Sequence, residues 1–234
     1  MTRRLAAEFV ATAFLVAVVI GSGIAGERLS DSTGLTLLIN SLATGAGLVA
    51  LILAFGPASG AHMNPVVTLA DAALGGQNRV EAVEYATVQV AGGAVGAVIA
   101  NLMFAEPAVA ISSTERLEPG LLLAEVVATF GLVAVVLSCA RSGTPATSVA
   151  FAVGAYIASA ILFTASTSFA NPAVTLARVL TDTFAGISPA SAAAFVPAQV
   201  VGALCAAAFM GYLYPDVPAS ADRIVVPHDR LQSP

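Results

Sequence analysis

The sequence predicts an all-α membrane protein with six transmembrane helices and two re-entrant half-helices, laid out as inverted three-helix repeats. Three observations carry that expectation. The chain is 58% hydrophobic and only 10% charged, with a mean hydropathy of +0.90, a composition of polytopic membrane proteins rather than soluble domains. Apolar runs of about 20 residues, the length that crosses a bilayer, recur six times. Finally, His62-Met63-Asn64-Pro65-Val66-Val67-Thr68-Leu69-Ala70 and Phe169-Ala170-Asn171-Pro172-Ala173-Val174-Thr175-Leu176-Ala177 are near copies, one in each half of the chain.

The first span is expected at roughly 5–25. Arg3-Arg4 before an apolar run also fits a signal peptide or twin-arginine signal. Glu8 interrupts the run, however, and several spans follow, so the segment reads as a retained helix. The second span is expected at roughly 35–55. The first Asn-Pro segment comes next. Asn is a strong N-cap, because its side-chain oxygen accepts from the free amides of the first turn. Pro fits the first helical position, where no N–H is needed. From Pro65 to about Leu74 is roughly ten residues, or about 15 Å of helix, and Gly75-Gly76 supplies a stop. The third, fourth and fifth spans are expected at roughly 83–104, 119–140 and 146–165. A second short helix is expected from Pro172 to about Asp182, with Gly186 beyond. The sixth span is expected at roughly 191–213. Each short helix is about half a bilayer, so two placed end to end cover its core of roughly 30 Å.

The halves match in order. Ala7-Glu8-Phe9-Val10-Ala11-Thr12 pairs with Ala124-Glu125-Val126-Val127-Ala128-Thr129, the Asn-Pro segments pair, and Gln89-Val90-Ala91-Gly92 pairs with Gln199-Val200-Val201-Gly202. Three spans per half is an odd number, so the second half enters the membrane inverted and a central site falls between halves. One membrane domain is therefore expected over 1–214, with repeat 1 at about 5–104 and repeat 2 at about 119–213, followed by a polar, Pro-rich tail over 215–234. All nine basic residues are Arg. With the N-terminus inside, Arg3, Arg4, Arg79, Arg141, Arg223 and Arg230 are cytoplasmic and Arg28, Arg116 and Arg178 are outside. This bias favours both termini in the cytoplasm.

Other classes are disfavoured. The net charge of −5 is spread over loops and tail and implies no nucleic-acid partner. Cys139 and Cys205 fall in apolar runs and read as buried structural thiols. There is no nucleotide-binding loop, metal cluster or nucleophile–base constellation, so neither an enzyme nor a cofactor or metal is expected. Acidic residues inside spans, here Glu8 and Glu125, are costly and are usually functional or paired. They could relay protons, as in a transporter, or accept from backbone amides of irregular loops. Their symmetric placement favours bracing. Gln89 and Gln199 are expected to hydrogen-bond between helices.

Ser59-Gly60-Ala61-His62-Met63-Asn64-Pro65-Val66-Val67-Thr68 and Ser168-Phe169-Ala170-Asn171-Pro172-Ala173 resemble the paired signature loops of the aquaporin (major intrinsic protein) family. The paired Glu residues, the Gln-x-x-Gly segments and the six-span layout match too, over essentially the whole chain. The resemblance implies an aquaporin-like pore with Asn64, Pro65, Val66, Asn171, Pro172 and Ala173 at its centre and His62 lining it or bracing its loop. It also implies glutamates that brace the loops, and a homotetramer with one pore per subunit. With each Asn oxygen engaged as a cap, each amide NH₂ is expected to be free to point into the lumen, and the half-helix N-termini to make the centre positive.

The chain departs from the family pattern where most members carry a filter arginine, which here is Val174. Ungapped matching puts Thr44, Ser159 and Ser168 at the other filter positions, a small, uncharged set that implies a wide filter. Arg178 follows Val174 by one helical turn. It either lines the outer vestibule or snorkels to the headgroups. Some bacterial members lacking the filter arginine are linked to arsenic resistance. The expected activity is thus passive passage of water, glycerol, urea or a metalloid acid such as arsenous acid across a bacterial inner membrane. The alternative is a proton-coupled secondary transporter working through Glu8 and Glu125.

Overall fold

The computed structural model describes residues 2–141 and 144–214. The tail expected over 215–234 lies outside the described residues. Six helices are long and apolar enough to cross a membrane. They are α1 (Thr2–Leu29), α2 (Thr33–Ser59), α4 (Arg79–Met103), α5 (Pro119–Arg141), α6 (Ala146–Phe163) and α8 (Pro189–Leu213). Two short helices interrupt the series, α3 (Pro65–Ala73) and α7 (Pro172–Ala177), the latter continuing as a 3₁₀ turn over Arg178–Leu180. The chain is a multi-pass membrane protein.

The two halves use the same packing. α1 lies against α2 and α4, α5 lies against α6 and α8, and α2 meets α6 across the halves. Small residues permit the close approach. A Cβ at Gly92 would sit 2.3 Å from Phe9 O, and one at Gly96 2.2 Å from Ala13 O, so α4 rests directly on the α1 backbone. Gly202 of α8 does the same on α5, where a Cβ would lie 2.5 Å from Val126 O. The glycines of the repeated Gln-x-x-Gly segments are thus the contact points of equivalent helix pairs. Large apolar side chains such as Phe14, Leu42, Leu123 and Phe151 face outward, as they must where lipid rather than water surrounds the helices.

The short helices start where expected. Asn64 Oδ1 accepts from Val66 N at 3.0 Å, and Asn171 Oδ1 accepts from Ala173 N at 2.9 Å and Val174 N at 3.3 Å. α3 ends at Ala73 with Leu74 as its C-cap, and Gly75 follows with φ +90°. α7 does not reach the expected Asp182. It stops at Ala177, turns once and becomes extended at Thr181. Its last carbonyls are taken from outside the helix. Arg178 O accepts from Ile187 N, Val179 O from Ser112 N, and Leu180 O from Ala110 N and Asn101 Nδ2. The connection over 106–118 thus supplies partners that helix continuation would otherwise provide.

Candidate functional site

The two Asn-Pro loops meet inside the bundle and lock each other. Asn64 Nδ2 donates to Ala170 O at 2.9 Å, and Asn171 Nδ2 donates to Met63 O at 2.7 Å. The expectation of a wholly free amide is corrected by this pair. Each NH₂ has two hydrogens, and one of them ties the opposite loop in place. Both asparagines border a central cavity that offers about 60 Å³ to the centres of water-sized molecules.

Each loop is held in an unusual backbone path. Ala61 and Met63 have φ of 48°, and their counterparts Ser168 and Ala170 have φ of 48° and 46°. Each such non-glycine residue costs on the order of 1–2 kcal/mol. The glutamates offset the cost. Glu8 accepts from Ser59 Oγ (2.7 Å), His62 N (2.9 Å), Met63 N (2.7 Å) and Gln89 Nε2 (2.7 Å). Glu125 accepts from Phe169 N and Ala170 N (both 2.9 Å) and from Gln199 Nε2 (2.6 Å). Each carboxylate thus satisfies two amides of its strained loop, amides that would cost about 1–3 kcal/mol each if left buried and unpaired. Gln89 and Gln199 also reach Thr68 Oγ1 at 3.1 Å and Thr175 Oγ1 at 2.8 Å, tying each carboxylate to its half-helix. Neither Glu8 nor Glu125 borders the cavity.

His62 does border it, with Nδ1 3.1 Å from Thr68 Oγ1 and its ring tilted on Tyr85 at 5.6 Å. Thr44, Ser168 and Val174 border it as well. The hydroxyls of Thr44 and Ser168 are buried and have no hydrogen-bond partner among the described residues. Ser159 is a correction. It is exposed, on the face of α6 turned away from the cavity, and Ile157 and Ile161 line the cavity instead. Helical period explains this. Val153, Ile157 and Ile161 recur every fourth residue on one face, whereas position 159 lies about 200° around the helix from 157. Ungapped matching cannot detect such a shift.

Arg178 does not reach for headgroups. It is 4% exposed and lines the cavity. Its Nε donates to Ala185 O, and its guanidinium lies 3.5 Å from the centroid of the Phe169 ring. Arg116, in the connection over 106–118, stands 5.3 Å from the same ring, with Nε on Gly186 O at 3.3 Å. This connection had no signal for a site in the sequence. Asn40, which lines the cavity and donates to Val19 O at 2.7 Å and Ser22 Oγ at 2.9 Å, was also unmarked. Its only signal is an Asn one turn before Thr44 in an apolar run.

Comparison with known proteins bears on the family and the fold. The "Major intrinsic protein" family profile matches residues 1–165 and 141–233. The chain is 47% identical over 213 residues to "Aquaglyceroporin AqpS" of Rhizobium meliloti (strain 1021), covering 91% of each protein. It is 33% identical to rice "Aquaporin NIP1-4" over 75% of this chain and 65% of that one. Its fold is similar to the X-ray structure of the aquaglyceroporin from Plasmodium falciparum, with a TM-score of 0.74 at 20% identity, covering 93% of this chain and 99% of that one. The profile match, the relatives and the six-helix architecture together make this chain a member of the major intrinsic protein family of membrane channels, not an enzyme.

Proposed function

We propose that the chain is a passive pore for small neutral solutes, with water, glycerol, urea and arsenous acid as the candidates. One observation carries this reading. The cavity wall is mostly apolar, and among its polar groups the Thr44 and Ser168 hydroxyls and the second amide hydrogens of Asn64 and Asn171 have hydrogen-bonding capacity to spare, with Arg178 as its one charged side chain among the described residues. A neutral hydroxylated solute exchanges water for these partners, whereas an ion loses far more hydration than they return. A water needs at least about 10–15 Å³ of such space, so the cavity suits a short file of small molecules. Val174 in place of an arginine removes the bulkiest and most polar filter residue, and a relative named an aquaglyceroporin favours glycerol-sized cargo.

The proposed pore uses Asn64, Pro65, Val66, Asn171, Pro172 and Ala173 at its centre and Thr44, Ser168 and Val174 toward one mouth. Glu8 and Glu125 brace the loops. A proton-coupled transporter would need a carboxylate reachable from the pathway, and both carboxylates are engaged by loop amides away from it. The proposed setting is the inner membrane of a bacterium, with 1–214 as one channel domain, both termini cytoplasmic and a homotetrameric assembly. Stopped-flow swelling of proteoliposomes in water, glycerol, urea and arsenous acid tests the proposal. Glycerol-driven swelling well above that of empty liposomes is expected; swelling equal to theirs for every solute would refute it.

A further inference from the structure

We infer that Arg178 sets the charge selectivity of this pore, acting from one helical turn beyond Val174. The inference rests on the reading of the cavity as a neutral-solute pathway. Arg178 is buried and borders the cavity, yet it forms no ion pair among the described residues. Its carboxylate neighbour is Glu125, which is already occupied by Phe169 N, Ala170 N and Gln199 Nε2. Arg116 approaches the same Phe169 ring and adds to the positive charge. A buried cation is expensive unless something uses its field.

The side chain is also held still. Nε is fixed on Ala185 O and the guanidinium plane lies on Phe169, which is itself packed edge-on against Phe195 at 5.2 Å and 85°. A guanidinium keeps its charge on burial and offers a planar face to an aromatic ring. The class selected is therefore neutral solutes carrying oxygen acceptors, and the class rejected is small cations, alkylammonium ions included. At roughly 6 Å and an effective dielectric of about 20, Coulomb repulsion alone slows a monovalent cation on the order of 100-fold.

The test uses the full chain in proteoliposomes, with methylammonium and glycerol as paired probes. The unmodified protein is expected to pass glycerol and hold methylammonium at the level of empty liposomes. Arg178→Gln should still pass glycerol but pass methylammonium at least tenfold faster than the unmodified protein. Arg178→Lys, which keeps the charge, should leak at least fivefold less than Arg178→Gln. Val174→Asp leaves the Arg178–Phe169 stack in place and sets a carboxylate one turn away. It should also admit methylammonium, and it serves if Arg178→Gln does not fold. Glycerol-permeable Arg178→Gln or Val174→Asp channels that stay closed to methylammonium would overturn the inference while leaving the pore reading intact. An unmodified protein that passes no glycerol would overturn the pore reading, and this inference with it.

Discussion

The proposed pathway asks little chemistry of Thr44 and Ser168. Each contributes one buried hydroxyl without a partner among the described residues, and Val174 leaves the space beside them open. Val174→Arg should cut glycerol flux at least tenfold while changing water flux by less than about threefold, because a guanidinium narrows the passage and competes for the same acceptors. Glycerol permeation that survives this change would show that Val174 is not at the constriction. Glu125 makes the opposite kind of contribution, structural rather than solute-facing. Glu125→Leu strands Phe169 N, Ala170 N and Gln199 Nε2 without their acceptor. With roughly 1–3 kcal/mol for each buried unpaired donor, the variant should lose most of its folded yield in detergent, read by fluorescence-detected size exclusion after heating. Glu125→Gln keeps an acceptor oxygen and should fall between the two. Glu125 was legible in the sequence because repetition marked it, and Thr44, Ser168 and Val174 because matching to the family's signature loops placed them. Asn40, Ile157 and Ile161 were not, since a side chain's part in a cavity depends on which way its helix is turned, nor was Arg116, which lies in a connection whose path only the packed bundle fixes.

At the scale of elements, the half-helices are defined at one end by chemistry and at the other by context. Asn-Pro dictates both starts. The end of α3 was also readable, since Gly75 adopts φ +90° as a stop requires. The end of α7 was not, because its last carbonyls bond to residues from the connection over 106–118 and from Ile187. That connection is clasped to the end of α7 by Asp182, which accepts from Ser113 N at 2.9 Å and Ser113 Oγ at 3.2 Å. These bonds hold the Asp182 carboxyl below its ordinary value. The clasp is therefore fully present above the usual carboxyl range and is lost as pH falls through the depressed value. Limited proteolysis within 106–118 should accelerate only on acidification below the ordinary aspartate range, and Asp182→Ala should show the faster cutting at neutral pH. Helix contacts give a second prediction. Gly96→Val places a side chain where even a Cβ would lie 2.2 Å from Ala13 O. It should abolish assembly of α1 with α4, whereas Gly120→Ala, with nothing within 4 Å, should be tolerated. Yield of monodisperse protein separates the two.

For the whole molecule, two inverted halves bring two loops together at the centre, and each loop's asparagine holds the other. The proposed pathway, fixed in this way, needs no alternating motion. Glycerol flux should rise linearly with gradient to the highest concentrations tested and should be unaffected by a protonophore. Saturation together with protonophore sensitivity would favour the transporter alternative. Number and order of the spans, the two half-helix starts, the paired glutamates and the membership of a channel family were all written in one-dimensional patterns, namely hydropathy over about 20 residues, capping residues and repetition. Those patterns act locally or by copy, so they survive without knowledge of the packed bundle. Only the tertiary structure decided that each asparagine amide bonds to the opposite loop, that α6 turns Ser159 outward and Ile157 inward, and that Arg178 lies buried against Phe169. These outcomes depend on helix rotation, on the irregular path of the chain around α7 and, for the asparagines, on partners more than 100 residues away, and no local pattern encodes them.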